Sequence, residues 1–319
     1  MFEIEPILWL QAHGNAALTW LMHAVSAFGQ AEAYAALLLV LMFGVRLRPA
    51  LGLLFVLGLA GCLVGAAKTT FALPRPPDVD VRVRIRHVDE GHALAEHGGA
   101  RSFWALPEPR AIALKRQLAP GDYGFVSTHV ATAAASVFGV IALFAVRAWR
   151  WRLALAAWPL LMALSRLYLG RHFLADVCGG YFVGMIAGLA GAWLYTRAAT
   201  GRRLRLGLLG GALLLAAAAL AGPYVAVASA GALLGALLAL PVLDRLAPAT
   251  EGGGLARRLA RILVAGATVA VGGFILHGLL RVAHAQTPAM LLLAWALGLP
   301  AVLALALLML RRLGLYRPA

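Results

Sequence analysis

Long apolar runs separated by short polar turns fill the chain from about residue 31 to its C-terminus. We read nine of them as membrane-spanning helices, near 31–45, 49–72, 125–146, 151–168, 172–196, 206–222, 225–243, 262–281 and 288–310. Helices or closed barrels alone cross lipid, because the backbone must satisfy its own hydrogen bonds there, and runs of this kind read as helices. Residues 7–29, "ILWLQAHGNAALTWLMHAVSAFG", behave differently. Gln11, His13, Asn15, His23 and Ser26 interrupt the apolar pattern, and an interfacial amphipathic helix is expected there rather than a span. The expected fold class is all-α, a polytopic transmembrane helix bundle of about nine spans. No repeat at a fixed period is visible.

Composition agrees with the pattern. Of 319 residues, 62% are hydrophobic and 13% charged, against about 25% charged in a soluble domain. A net charge of +15 would suit a nucleic-acid binder, but its distribution excludes that class. The arginines cluster between apolar runs: Arg46 and Arg48; Arg147, Arg150 and Arg152; Arg197, Arg202, Arg203 and Arg205; Arg245, Arg257, Arg258 and Arg261; Arg311, Arg312 and Arg317. These clusters alternate with span direction, so all fall on one face, which the positive-inside rule makes cytoplasmic. The opposite face receives the 77–124 loop and the "SRLYLGRH" turn. In that loop seven basic and seven acidic residues cancel, and its length suits a lid or small elements of its own. "MFEIEP" has no basic region ahead of an apolar one, so no cleavable signal peptide is expected. Cys62 and Cys178 fall in apolar runs and read as packing residues.

Three polar clusters lie at the outward ends of spans. "SRLYLGRHFLADVCGG", Ser165 to Gly180, holds Arg166, Arg171, His172 and Asp176. Gly170 breaks the fourth span, and His172 and Asp176, four apart, would share a helix face. A carboxylate there can accept a hydrogen bond from one imidazole nitrogen, fixing the tautomer and freeing the other as nucleophile or base. The blander account is an interfacial ion pair with a snorkelling arginine. The second span ends "KTTFALPRPP", with Lys68 and Arg75. The third begins "YGFVSTHVATAAA", with Ser127, Thr128 and His129 where a helix N-terminus offers N–H groups to an anion. Taken alone, that serine reads as an N-cap. Together the clusters supply cations, two histidines, a hydroxyl and a helix N-terminus, which is what phosphoryl transfer requires.

The pattern Lys68…Arg75-Pro76, Ser127-Thr128-His129, Ser165-Arg166…His172…Asp176 resembles, in order and spacing, the three signature motifs of the type 2 phosphatidic acid phosphatase family. The resemblance covers about residues 30–197. It implies a six-helix-type phosphatase core within residues 1–200, which leaves 201–319 as a C-terminal four-span extension. It implies a metal-independent phosphatase, without cofactor, working through a phosphohistidine. His172 would be the nucleophile, Asp176 its orienter and His129 the acid that protonates the leaving oxygen. Lys68, Arg75, Arg166, Ser127 and backbone N–H groups near Thr128 would hold the phosphate. One departure stands out: the family's second motif is typically Pro-Ser-Gly-His, and here Val126-Ser127-Thr128-His129 sets a β-branched residue beside the phosphate.

The expected partner is the membrane itself and a phospholipid or isoprenoid lipid phosphate within it, such as undecaprenyl diphosphate. The site would face the periplasm from an inner membrane. A phosphotransferase using the same histidine and a lipid transporter retaining the site for headgroups are the alternatives. Val81–Arg86 alternates like a short strand that would put Arg82, Arg84 and Arg86 on one face, either as a solvated edge or as a second anionic contact. His87, His92 and His97, five apart, fit a zinc motif poorly. Residues 201–319 carry no motif beyond Gly231 and Gly235, a small-residue packing face, and His277 reads as a bundle residue. A docking surface, a homo-oligomer contact and a wider lipid-entry groove stay open for this region.

Overall fold

The computed structural model describes residues 1–84, 93–220, 224–247, 251–282 and 287–316. The described chain is all helical: α1 (Glu5–Ala12), α2 (Ala16–Ala27), α3 (Ala31–Val40, continued by a π-helical turn Leu41–Val45), α4 (Leu47–Phe71), α5 (Pro76–Val79), α6 (Pro109–Leu118), α7 (Thr128–Leu143), α8 (Trp149–Tyr168), α9 (Leu174–Thr200), α10 (Arg202–Ala219), α11 (Tyr224–Leu246), α12 (Leu255–Val282) and α13 (Pro288–Arg312). A helix stands at each of the nine predicted runs. Among the described residues, five segments are long and apolar enough to cross a membrane: Leu47–Val79, Leu174–Thr200, Ala226–Leu246, Leu255–Ile275 and Pro288–Arg312. A sixth is added if α2 and α3, bent at the break between them, count as one span. The protein is therefore a membrane protein, with α7 as a shorter apolar helix. At 16 residues α7 is about 24 Å long, less than the roughly 30 Å hydrocarbon thickness.

Two expectations change. Residues 7–29 form two helices, not one, with Asn15 between them; its Oδ1 accepts the Leu18 N–H at 2.8 Å and starts α2. The strand expected over Val81–Arg86 is not formed by its described residues. Val81 and Arg82 turn instead, because Asp80 accepts the Arg82 N–H at 2.9 Å and grips its guanidinium at 2.7 Å. Burial by itself would raise the Asp80 pKa, but the hydrogen bonds from Arg82 outweigh it and hold the carboxyl below its usual value. Arg86, His87 and His92 lie outside the described residues.

The chain packs as two units, whose boundaries fall inside α3, α4, α7 and α9 and between α7 and α8. The first comprises Met1–Ala33, Leu63–Phe138 and Val146–Gly188. In it Phe2, Ile4 and Ile7 pack with Leu73, Val79, Val83, Ala111 and Phe173. The 77–124 loop thus carries elements of its own, α5 and α6, fixed by the buried Lys115, whose Nζ is 3.0 Å from Asp78. Within the same unit α9 lies against α7 at Gly180 and Gly184. A Cβ at Gly180 would stand 2.7 Å from the Ser127 carbonyl oxygen, and one at Gly184 2.8 Å from Ala134 Cβ.

The second unit comprises Tyr34–Cys62, Gly139–Ala145 and Leu189–Ala319. Its interior is alanine and leucine from α11 and α13, joined by Leu47, Leu51 and Phe55 of α4. Small residues set its helix spacing. A Cβ at Gly235 would stand 2.6 Å from the Trp295 carbonyl oxygen, and one at Gly58 2.9 Å from the Leu233 nitrogen. Gly231 and Gly235 are thus the packing face read from the sequence, turned to α13.

Candidate active site

The third motif is built from two helix ends. Gly170 takes φ +67° after α8, a left-handed conformation that glycine adopts without steric cost. Gly170 N–H donates to the Leu167 carbonyl and Arg171 N–H to the Arg166 carbonyl, both at 3.0 Å. This paired closure is a Schellman motif. It ends α8 with Arg166 in its last turn and sets the distance along the chain to His172. His172 then lies in the turn before α9, not on the helix as its spacing suggested, since α9 begins at Leu174. The pair still meets. Asp176 is the third residue of α9, and its Oδ2 stands 3.3 Å from His172 Nδ1 while accepting the Phe173 N–H at 2.9 Å. The second contact is half of a capping box, and it fixes the carboxylate with a backbone group.

The other two motifs close on this pair. Ser127 N–H donates to the Asp176 carbonyl at 2.9 Å, tying the start of α7 to the start of α9. Lys68, in the last turn of α4, turns to the backbone instead of snorkelling outward: its Nζ donates to the Tyr123 carbonyl. Gly124 N–H in turn donates to the Leu73 carbonyl at 2.8 Å. Arg75 rests on Asp122 at 2.7 Å through Nη2, and its own N–H is held by Asp78 at 2.7 Å. Thr128 opens α7, half-buried, and its carbonyl accepts from Thr132 Oγ1. Arg166, Ser127, His172 and Asp176 are all buried. The Ser127 bond to Asp176 and the Lys68 bond to the Tyr123 carbonyl thus bring the start of α7 and the end of α4 to the His172–Asp176 pair.

Five buried polar atoms of this cluster have no hydrogen-bond partner among the described residues: Arg75 Nε, Ser127 Oγ, His129 Nε2, Arg166 Nε and Asp176 Oδ1. Each such atom costs about 1–3 kcal/mol when left unpaired. The Ser127 hydroxyl, expected on the blander account to cap α7, makes no such bond. Burial, then the charges of Arg75, Arg166 and Lys68, push the His172 pKa well below the usual imidazole value. Burial and then Arg75 also lower the pKa of Arg171. Its guanidinium makes no hydrogen bond or ion pair among the described residues, although it sits directly before His172. Among the described residues no group of three His, Cys, Asp or Glu is placed to hold a metal ion. His97 is instead beside Asp80, at 3.5 Å.

Sequence reasoning gave no role to Asp122, which holds Arg75, or to Ser26, which accepts a hydrogen bond from Arg166 Nη1 at 2.6 Å. Ser26 did leave a signal, as a polar interruption of an apolar stretch, but nothing in the sequence pointed to its partner.

The model of the PAP2 superfamily matches residues 49–202. The crystal structure of Aquifex aeolicus LpxE is similar to the chain with a TM-score of 0.42 at 20% identity, over 60% of this chain and 94% of that one. None of the curated protein sequences compared with the chain matches it.

Proposed function

We propose, from the premise that the chain belongs to the PAP2 superfamily, that it is an integral membrane phosphatase acting on a lipid phosphate or diphosphate through a phosphohistidine. One observation carries this reading: a buried His172–Asp176 pair shares its cluster with three cations, and four buried atoms there that can donate, Arg75 Nε, Ser127 Oγ, His129 Nε2 and Arg166 Nε, lack partners among the described residues. An anion with several acceptor oxygens satisfies such a set, and a phosphoryl group has them on every side.

In this reading His172, neutral and with Nδ1–H donated to Asp176, attacks phosphorus through Nε2. Lys68, Arg75 and Arg166 hold the phosphoryl oxygens, helped by the Ser127 hydroxyl and the N–H groups that open α7. His129 protonates the departing oxygen. Water then takes the phosphoryl group from His172, and free phosphate leaves. The cations stand where a metal would otherwise balance charge. The positive-inside pattern supports nine crossings, with the site facing the periplasm from an inner membrane.

Arg171 favours a diphosphate as substrate. Beyond the three clamping cations it adds one uncommitted charge beside the nucleophile, where the second phosphate of a diphosphate would lie. Arg171→Ala should lower the ratio of diphosphate to monophosphate kcat/KM by about tenfold, the loss of one charge-assisted contact of about 1.4 kcal/mol. An unchanged ratio would remove Arg171 from substrate choice.

The test of the activity is phosphate release by the purified protein from a panel of lipid phosphates, with EDTA present. Release under these conditions is expected, together with inhibition by vanadate, which mimics pentacoordinate phosphorus. Activity lost to EDTA and restored by Mg²⁺ would overturn the metal-free mechanism. A phosphorylated acceptor in place of free phosphate would make the protein a transferase.

A further inference from the structure

One face of α2 and the turn after it touches two of the proposed site residues. Met22 and Ser26 are four apart, and Gly29 follows three later, a spacing that keeps them on one side. The Met22 carbonyl accepts the Ser165 hydroxyl at 2.8 Å. Ser26 Oγ accepts Arg166 Nη1 at 2.6 Å, with both side chains buried. At Gly29 an added Cβ would stand 3.0 Å from His129 Cγ and 3.1 Å from Met162 Cε. All three positions precede the residues 49–202 matched by the family model.

The geometry at Arg166 gives the serine a specific task. A guanidinium is planar, so fixing one of its nitrogens fixes the direction of the others. Ser26 takes Nη1. The opposite edge, formed by Nε and Nη2, is the edge that can hold two oxygens of one phosphate, and its buried Nε has no partner among the described residues. Without Ser26 the arginine would keep its charge and its place on α8 but lose the restraint on its plane. Gly29 has a different effect: any side chain there presses on the ring of His129.

We infer that the inner face of α2 is a positioning element of the phosphate site, with Ser26 setting the plane of Arg166 and Gly29 leaving room for the His129 ring. The inference rests on the phosphatase reading above and assigns the N-terminal segment a part in it. Both residues act through another, so their variants should fail in the manner of the residue each one serves.

Ser26→Ala should lower kcat/KM by about tenfold, equally on an alkyl monoester and an activated ester, because phosphate binding is common to both. It should weaken vanadate inhibition by a similar factor, and Ser26→Thr, which keeps the oxygen, should recover most of the loss. In an Arg166→Ala background Ser26→Ala should cost nothing further, since the group it orients is gone. Gly29→Ala should instead lose most on the alkyl monoester, which depends on His129. Wild-type protein that neither binds vanadate nor releases phosphate would remove both the phosphatase reading and this one. An active wild type with Ser26→Ala unchanged, or with its loss fully additive to that of Arg166→Ala, would remove this one alone. Should Ser26→Ala not fold, Ser26→Thr and Gly29→Ala still decide: Gly29→Ala with wild-type kinetics on both esters would overturn the positioning role.

Discussion

The unit that carries the three motifs buries Ser127, Ser165, Arg166, His172, Asp176, Lys115 and Asp80, and several of their polar atoms lack partners among the described residues. In the other unit the buried positions are mostly alanine and leucine, spaced by glycine; Arg261 and Thr268 are its buried polar residues among those described. The first arrangement gives up stability, because a buried polar atom without a partner costs more than an apolar one. The second is stabilised mainly by close packing, although Arg261 Nε and Nη2 and Arg311 Nε are also buried there without a partner among the described residues. A side chain kept where it destabilises the fold points to a site, and a side chain kept where it only packs does not. That contrast separates the two halves of this molecule better than hydropathy does, since both are rich in apolar helices.

The largest effect should come from the nucleophile. His172→Ala should show no turnover and no labelled enzyme, because no other side chain is held by Asp176 at that place. His129→Ala should lose about 10²–10⁴-fold on an alkyl monoester. Its loss should be much smaller on p-nitrophenyl phosphate or a diphosphate, whose leaving groups need no proton. Rapid quench for acid-labile phosphoenzyme, with both ester types, checks the pair. Equal losses for His129→Ala on both would overturn its role as the acid, and phosphoenzyme in His172→Ala would overturn the nucleophile.

Arg75→Lys and Arg166→Lys should each lose at least about tenfold in turnover, about 1.4 kcal/mol of transition-state stabilisation. An ammonium acts as a point charge and cannot hold two oxygens as a guanidinium does. Wild-type turnover in both variants would mean that these arginines serve topology alone. Ser127→Ala sharpens the comparison between the units. It removes a buried hydroxyl without a partner, so the melting temperature should hold or rise while kcat/KM falls by about tenfold. A lower melting temperature would mean that the hydroxyl is structural after all.

The smallest effect on activity should come from the packing unit. Leu237→Ala, at a position with 0% exposure, should cost about 2–5 kcal/mol of stability through the cavity it leaves. Turnover per folded molecule should stay within about twofold of wild type. A loss of turnover without a loss of folded protein would show that this unit takes part in catalysis.

The sequence by itself determined the helices at the nine apolar runs, the three clusters, and the meeting of His172 with Asp176. Those features are local: hydropathy over some twenty residues sets a helix in or out of lipid, and four residues of spacing nearly fix which side chains meet. Even so, the boundary of α9 moved past His172, because the Schellman closure at Gly170 fills the residues in which the helix was expected to start. Tertiary structure alone decided which partners were taken from a distance. Arg82 went to Asp80 and not to a strand face, Arg75 went to Asp122, and the Ser127 hydroxyl was left without a cap to make. Residues 7–29 show the difference most plainly. Their polar side chains looked like reasons to lie at a membrane surface, yet Gln11 donates to the Tyr168 carbonyl at 3.2 Å and Ser26 holds Arg166, 140 residues along the chain. A polar residue in an apolar stretch must find a hydrogen bond, and the sequence states that need. Which residue meets it depends on helices that come together only when the chain has folded.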